Sequence, residues 1–90
     1  MSLLYTFSST QGLLRASALL TRLSPEDAVL LRGDALYQLL SAENFAAGSY
    51  GLKPDALARG LDPQQFPHIE WIDYPQWVEL VAAGQTPIDW

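Results

Sequence analysis

The chain has 90 residues, a formal net charge of −5 and no cysteine. Disulfides, thiolate metal sites and cysteine nucleophiles are therefore excluded, and five scattered cations, Arg15, Arg22, Arg32, Lys53 and Arg59, form no basic stripe for a phosphate backbone. With 49% hydrophobic and 17% charged residues, so small a chain has too few charges to cover its own surface, and part of that surface is expected to lie under another chain.

The length suits a single domain spanning 1–90. "LLYTF" (Leu3–Phe7) is short, apolar and partly aromatic, and reads as a buried strand. "SST" at 8–10 supplies capping hydroxyls for a helix over about 11–22, with Leu13, Leu14, Ala18 and Leu20 at helical spacing. "SPED" at 24–27 breaks it and leads into "AVLL" (Ala28–Leu31), a second buried strand. Gly33 and Asp34 then open a helix through about Leu40. A third strand is expected at about 46–51, although it contains two glycines. Pro54 and Gly60 bracket the short helix "PDALAR". "HIEWI" at 68–72 is the fourth strand. Pro75 starts the last helix, in which Trp77, Leu80 and Val81 share a face and Gly84 marks the stop. "PIDW" at 87–90 supplies a short fifth strand.

Every gap between these strands is long enough for a crossover and holds a helical pattern, whereas a hairpin needs only about two to five residues. The expected fold is α/β: a parallel sheet of about five short strands with helices on both faces. The opening "MSLLYTFSST" lacks the basic start and apolar length of a signal peptide, and no apolar run approaches the roughly 20 residues of a membrane span. A cytoplasmic location is expected, with no membrane partner and no direct nucleic-acid contact.

Chemistry is sparse. The glycines follow neither dinucleotide nor P-loop spacing, so no phosphate cradle and no cofactor is assigned. His68, the sole histidine, adjoins Pro67 and reads as structural, not catalytic or metal-binding. Ser8, Ser9, His68 and Asp73 can be combined into a triad, which makes a small hydrolase or ligand-binding domain the alternative function, but no G-x-S-x-G elbow supports it. Asp73 and Asp89 read as caps or edge residues. Tyr5, Phe7, Tyr50, Trp71, Tyr74 and Trp77 each suit a core, yet together they exceed what a thin core encloses, and interfaces favour tyrosine and tryptophan.

"ALARGL" at 56–61, then "IDYPQWVEL" at 72–80 and a final tryptophan, resemble the TusB/DsrH family. The matching residues are Ala58, Arg59, Gly60, Leu61, Ile72, Asp73, Tyr74, Trp77, Val78 and Trp90. "LLYTFSST" is similar to the family's Leu-His-Thr start and "AVLLRGDALY" to its strand–helix junction. Tyr5 stands where the family has a histidine, "RGD" replaces Asp-Gly, and Ile88-Asp89 precede the last tryptophan in place of Met-Ala.

The resemblance implies a three-layer DsrE/F/H-type fold and a part in sulfur relay. It implies TusC-like and TusD-like sister subunits in a heterohexamer, a TusA-like donor, a TusE-like acceptor and 2-thiolation of the tRNA wobble uridine. Relay needs a thiolate. By residue count Leu52 stands where the catalytic sister carries its cysteine, and Leu19 where some DsrH proteins carry one, which favours the TusB side. The expectation is a non-catalytic subunit. Tyr50, Arg59, Gly60, Trp71, Asp73, Tyr74, Trp77 and Trp90 are its interface or structural candidates, with no catalytic, cofactor or metal residue.

Overall fold

The computed structural model describes residues 3–16, 22–40 and 49–90. Five parallel strands, β1 (Leu3–Phe7), β2 (Ala28–Leu31), β3 (Ser49–Leu52), β4 (Glu70–Ile72) and β5 (Thr86–Asp89), form one sheet in the order β4-β3-β2-β1-β5. Phe7 lies opposite Leu31, Val29 opposite Ser49, Leu52 opposite Ile72 and Tyr5 opposite Ile88. All four residues of β2 are buried, as the continuous apolar run of an interior parallel strand requires.

Alternation along the strands sends side chains to two cores. The larger one joins Tyr5, Phe7, Val29 and Leu31 to Leu13 and Ala16 of helix α1 (Thr10–Arg15), to a 3-10 helix at Gly33–Leu40, and to Ala56 of α2 (Lys53–Ala58). The smaller joins Leu4, Ala28, Leu30, Leu52 and Ile72 to Trp77 and Leu80 of α3 (Tyr74–Ala82). Helices thus cover both faces, giving the three-layer arrangement, but unequally. Among the described residues, no helix is long and apolar enough to cross a membrane.

Several boundaries differ from expectation for local reasons. Helix α1 starts where Ser9 Oγ accepts the Gly12 N–H at 3.1 Å, but it ends at Arg15, and Leu14 is 66% exposed. The expected extension, with Ala18, Leu19 and Leu20, falls outside the described residues. The segment after β2 is 3-10 throughout: Leu36 and Leu39 are buried while Tyr37 and Leu40 are exposed. That spacing of three matches three residues per turn. Strand β3 is described over Ser49–Leu52, one residue past the expected end, and the expected positions 46–48 lie outside the described residues. Strand β4 begins at Glu70 because the Ile69 N–H is spent in a turn, on Phe66 O at 3.1 Å. Strand β5 is displaced one residue earlier than "PIDW".

Candidate functional site

Strands β1 to β4 step outward one neighbour at a time, so their connections pack together on one face. The chain must then return from β4, at one edge, to β5 at the other. Right-handed crossing puts that return on the opposite face, and among the described residues α3 is the helix that covers it. The helix is firmly ended. Asp73 Oδ1 accepts the Gln76 N–H at 2.9 Å and Gln76 Oε1 accepts the Asp73 N–H at 2.9 Å, a reciprocal capping box. Yet none of its nine residues is buried.

At about 100° per residue, the apolar stripe of α3 is wider than the sheet can use. Trp77 and Leu80 rest on the sheet, whereas Tyr74 (50%), Val78 (67%) and Val81 (37%) stay exposed. Beside them an open groove of about 460 Å³ is lined by Trp77, Val78, Val81, Ala82 and Pro87.

Two polar clusters fasten this surface at the carboxyl ends of the strands. In the first, the Arg32 guanidinium lies 5.5 Å from the Trp77 ring centre, and its Nη2 meets Asp89 Oδ1 at 3.3 Å. The Thr6 hydroxyl donates to the same Asp89 oxygen at 3.0 Å. In the second, Asp55 accepts the Gly33 N–H at 2.7 Å and the Tyr74 hydroxyl at 2.7 Å. Arg59 joins it, donating Nε to Asp34 at 3.1 Å and Nη1 to the Asp55 carbonyl at 3.2 Å. The bond to Asp55, and then that carboxylate's charge, hold the Tyr74 phenol above its ordinary pKa.

The eight candidates therefore separate into different roles. Tyr74 and Trp77 line or border the groove side of α3, and Asp73 caps that helix. Trp90 stacks on Phe7 with ring centres 6.0 Å apart, donates its backbone N–H to Thr6 O at 2.9 Å, and remains 42% exposed. Tyr50 packs on the smaller core, as Trp77 and Leu80 do; burial first, and Glu70 second, raise its phenol pKa. Trp71 packs on the larger core at the other face and donates Nε1–H to Phe66 O at 3.2 Å. Gly60 has φ +73 and follows α2, with its N–H on Leu57 O at 3.2 Å and the Leu61 N–H on Ala56 O at 2.9 Å. That is a Schellman stop, for which glycine is suited. Arg59 belongs to the Asp34–Asp55 cluster.

Sequence reasoning passed over Arg32, Asp55, Thr6 and Pro87. The exposed stripe of Tyr74, Val78 and Val81 was readable from its spacing; the long-range partners of Arg32 were not, since they lie 57 residues away at Asp89. The hydrolase grouping does not assemble. Ser8 and Ser9 follow the carboxyl end of β1, whereas His68 precedes the amino end of β4 and packs edge-on to Phe66 at 6.4 Å. Parallel strands put those two places at opposite ends of the strands. Ser9 is moreover engaged as a helix cap. Leu52, at the relay-cysteine position by count, is wholly buried.

Comparison with known proteins agrees with this architecture. The family model described as "DsrH like protein" matches residues 9–86. Protein TusB of Pectobacterium parmentieri is 33% identical over 63 residues, which is 70% of this chain. The match spans 63% of that relative's length. The solution structure of protein Tm0979 from Thermotoga maritima superposes with a TM-score of 0.69 at 21% identity, covering 93% of this chain and 94% of the other. At that identity the likeness speaks to the fold alone.

Proposed function

The chain belongs to the DsrH-like family, and on that premise we propose that it is a non-catalytic subunit of a TusBCD-like sulfur-relay complex. Its sisters are TusC-like and TusD-like chains in a heterohexamer. A TusA-like protein delivers persulfide sulfur to the complex, and a TusE-like protein receives it for 2-thiolation of the tRNA wobble uridine. The observation that carries the subunit role is α3: a helix seated on one sheet face through Trp77 and Leu80, with no buried residue and an apolar groove beside it. Such a face is unfinished in an isolated chain and is completed by a partner.

The chain's own chemistry supports the non-catalytic half of the proposal. A sulfane sulfur is accepted by a thiolate, and this sequence holds no cysteine. At the end of β3 the enclosed Leu52 side chain contributes packing. The chain accordingly acts by shape and surface, holding sister subunits that do the transfer. The experiment is reconstitution of transfer from a persulfidated TusA-like donor to a TusE-like acceptor, with the sister chains, in the presence and absence of this one. Transfer is expected to need the chain while its own mass stays constant. Equal transfer without it, or a stoichiometric gain of one sulfur by the chain, would refute the proposal.

A further inference from the structure

Burial divides the molecule at Ile72. That residue is 5% exposed, and from Asp73 through Trp90 no residue is buried. Among the described residues no other run without a buried residue is as long. The run comprises α3 and β5. It holds to the body through partly buried side chains, Trp77 and Leu80 on the smaller core and Ile88 on the larger, and through Trp90 stacked on Phe7. A polar clasp adds to these. Asp89 Oδ1 receives the Thr6 hydroxyl at 3.0 Å and meets Arg32 Nη2 at 3.3 Å, with the Asp89 side chain 69% exposed. Bonds so open to water each contribute little.

Topology lets this run leave the sheet without breaking another pairing. Strand β5 is an edge strand paired with β1, and the order β4-β3-β2-β1 is complete without it. A region with few buried apolar contacts opens at a lower free energy than the core that carries it. We infer that α3 and β5 form a strap that opens as one unit while the other four strands stay folded, and that the Thr6–Asp89–Arg32 clasp latches it. Opening makes β1 the sheet edge and uncovers the smaller core, in which Leu4, Leu30 and Leu52 are wholly buried when the strap is closed. The open form thus carries an unpaired strand edge beside apolar surface, the combination that invites association with another chain.

Hydrogen-bond directions within β1 make the inference specific. Thr6 O accepts from Trp90 N at 2.9 Å, whereas Phe7 O accepts from Arg32 N at 2.9 Å. Successive residues of the strand therefore face alternate neighbours, Leu4 and Thr6 toward β5, Tyr5 and Phe7 toward β2. All four are buried, so burial alone would protect their amides equally. Strap opening frees the amides of Leu4 and Thr6, with those of Ile88 and Trp90, and spares Tyr5 and Phe7.

The test is amide hydrogen exchange of the purified full-length chain, resolved by residue with NMR under conditions in which the rate reports the opening equilibrium. Leu4, Thr6, Ile88 and Trp90 are expected to share one opening free energy. Relative to their intrinsic rates they should exchange at least about tenfold faster than Tyr5 and Phe7. Ile69→Val trims the larger core just before β4, at the far edge of the sheet. It should speed Tyr5 and Phe7 by about 2- to 12-fold and leave the strap amides unchanged, because the open form keeps that part of the core. Asp89→Ala should speed the strap amides by about tenfold, for the loss of one hydrogen bond and one partly exposed ion pair. Equal protection of the four β1 amides would overturn the strap. So would strap amides that shift in I69V as much as Tyr5 and Phe7 do. Unchanged strap exchange in D89A would overturn the latch.

Discussion

The guanidinium of Arg32, at the end of β2, lies 5.5 Å from the Trp77 ring centre and within 3.3 Å of Asp89. One side chain from the middle of the sheet therefore ties α3 to the edge strand β5, the two walls of the groove. A cation–π contact contributes about 0.5–1 kcal/mol and a partly exposed ion pair about 0.2–1 kcal/mol. Against these stands the buried Arg32 Nε, which has no hydrogen-bond partner. Arg32→Met is expected to cost about 1 kcal/mol in denaturant unfolding and to alter Trp77 fluorescence. Arg32→Lys should recover only part, because lysine lacks the planar stack. Unfolding of R32M at the wild-type midpoint would show that the tie carries no weight.

A second tie is the Tyr74 hydroxyl on Asp55 at 2.7 Å, joining the head of α3 to α2. Tyr74→Phe is expected to lower stability slightly, as loss of a hydrogen bond with an exposed donor does. The raised phenol pKa gives the sign with pH. The folded state favours the neutral phenol, so the contribution is whole below the unfolded tyrosine value, about 10, and is lost as pH rises through the higher folded value. Alkaline ultraviolet titration should show late-ionising tyrosine in wild type and less of it in Y74F. Identical titration curves would contradict the assignment.

The strand–helix alternation, the parallel sheet and both α3 signals, Asp73 and Gly84, were legible because they are local. Caps, turn residues and buried runs act over a few positions. What stayed hidden was non-local. No spacing rule connects Arg32 to Asp89 or Asp55 to Tyr74, and only the crossover of α3 brings their elements together. Leu14 stands at helical spacing beside the buried Leu13, yet among the described residues it is exposed. Among the aromatics, Trp71 and Trp77 look alike in sequence and fall on opposite faces, because each belongs to an element whose face is fixed by topology.

Gly51 carries a sharp packing prediction. A Cβ built there would lie 2.6 Å from Trp71 Cζ3 and 2.9 Å from Cε3, so the indole must move. Gly51→Ala is expected to destabilise by about 1–3 kcal/mol, the range for overpacking. Because Trp71 also donates to Phe66 O, its displacement should shift tryptophan emission. In the Trp71→Leu background the alanine should cost markedly less, and equal costs in the two backgrounds would mean that the ring is not the obstacle.

Asp27 predicts behaviour on the acid side. Its carboxylate accepts the Leu3 N–H at 3.0 Å and the Ser24 N–H at 3.3 Å. The Leu3 bond is the chief cause of its lowered pKa, with desolvation opposing. The fold favours the ionised form, so its contribution is complete above the unfolded carboxylate value of about 3.9 and is lost as pH falls through the lower folded value. Asp27→Asn should melt below wild type near neutrality, and the two should converge in acid below that value. A gap that persists unchanged in acid would assign the effect to shape and not to charge.

The central claim, that this chain is a non-catalytic member of a three-component relay complex, is tested most directly by native mass measurement of the chain co-expressed with its TusC-like and TusD-like sisters. The account predicts a single assembly containing all three chains, two copies of each, with this chain at its unmodified mass after exposure to a persulfide donor. An assembly of the sisters alone, with this chain recovered separately, would contradict it.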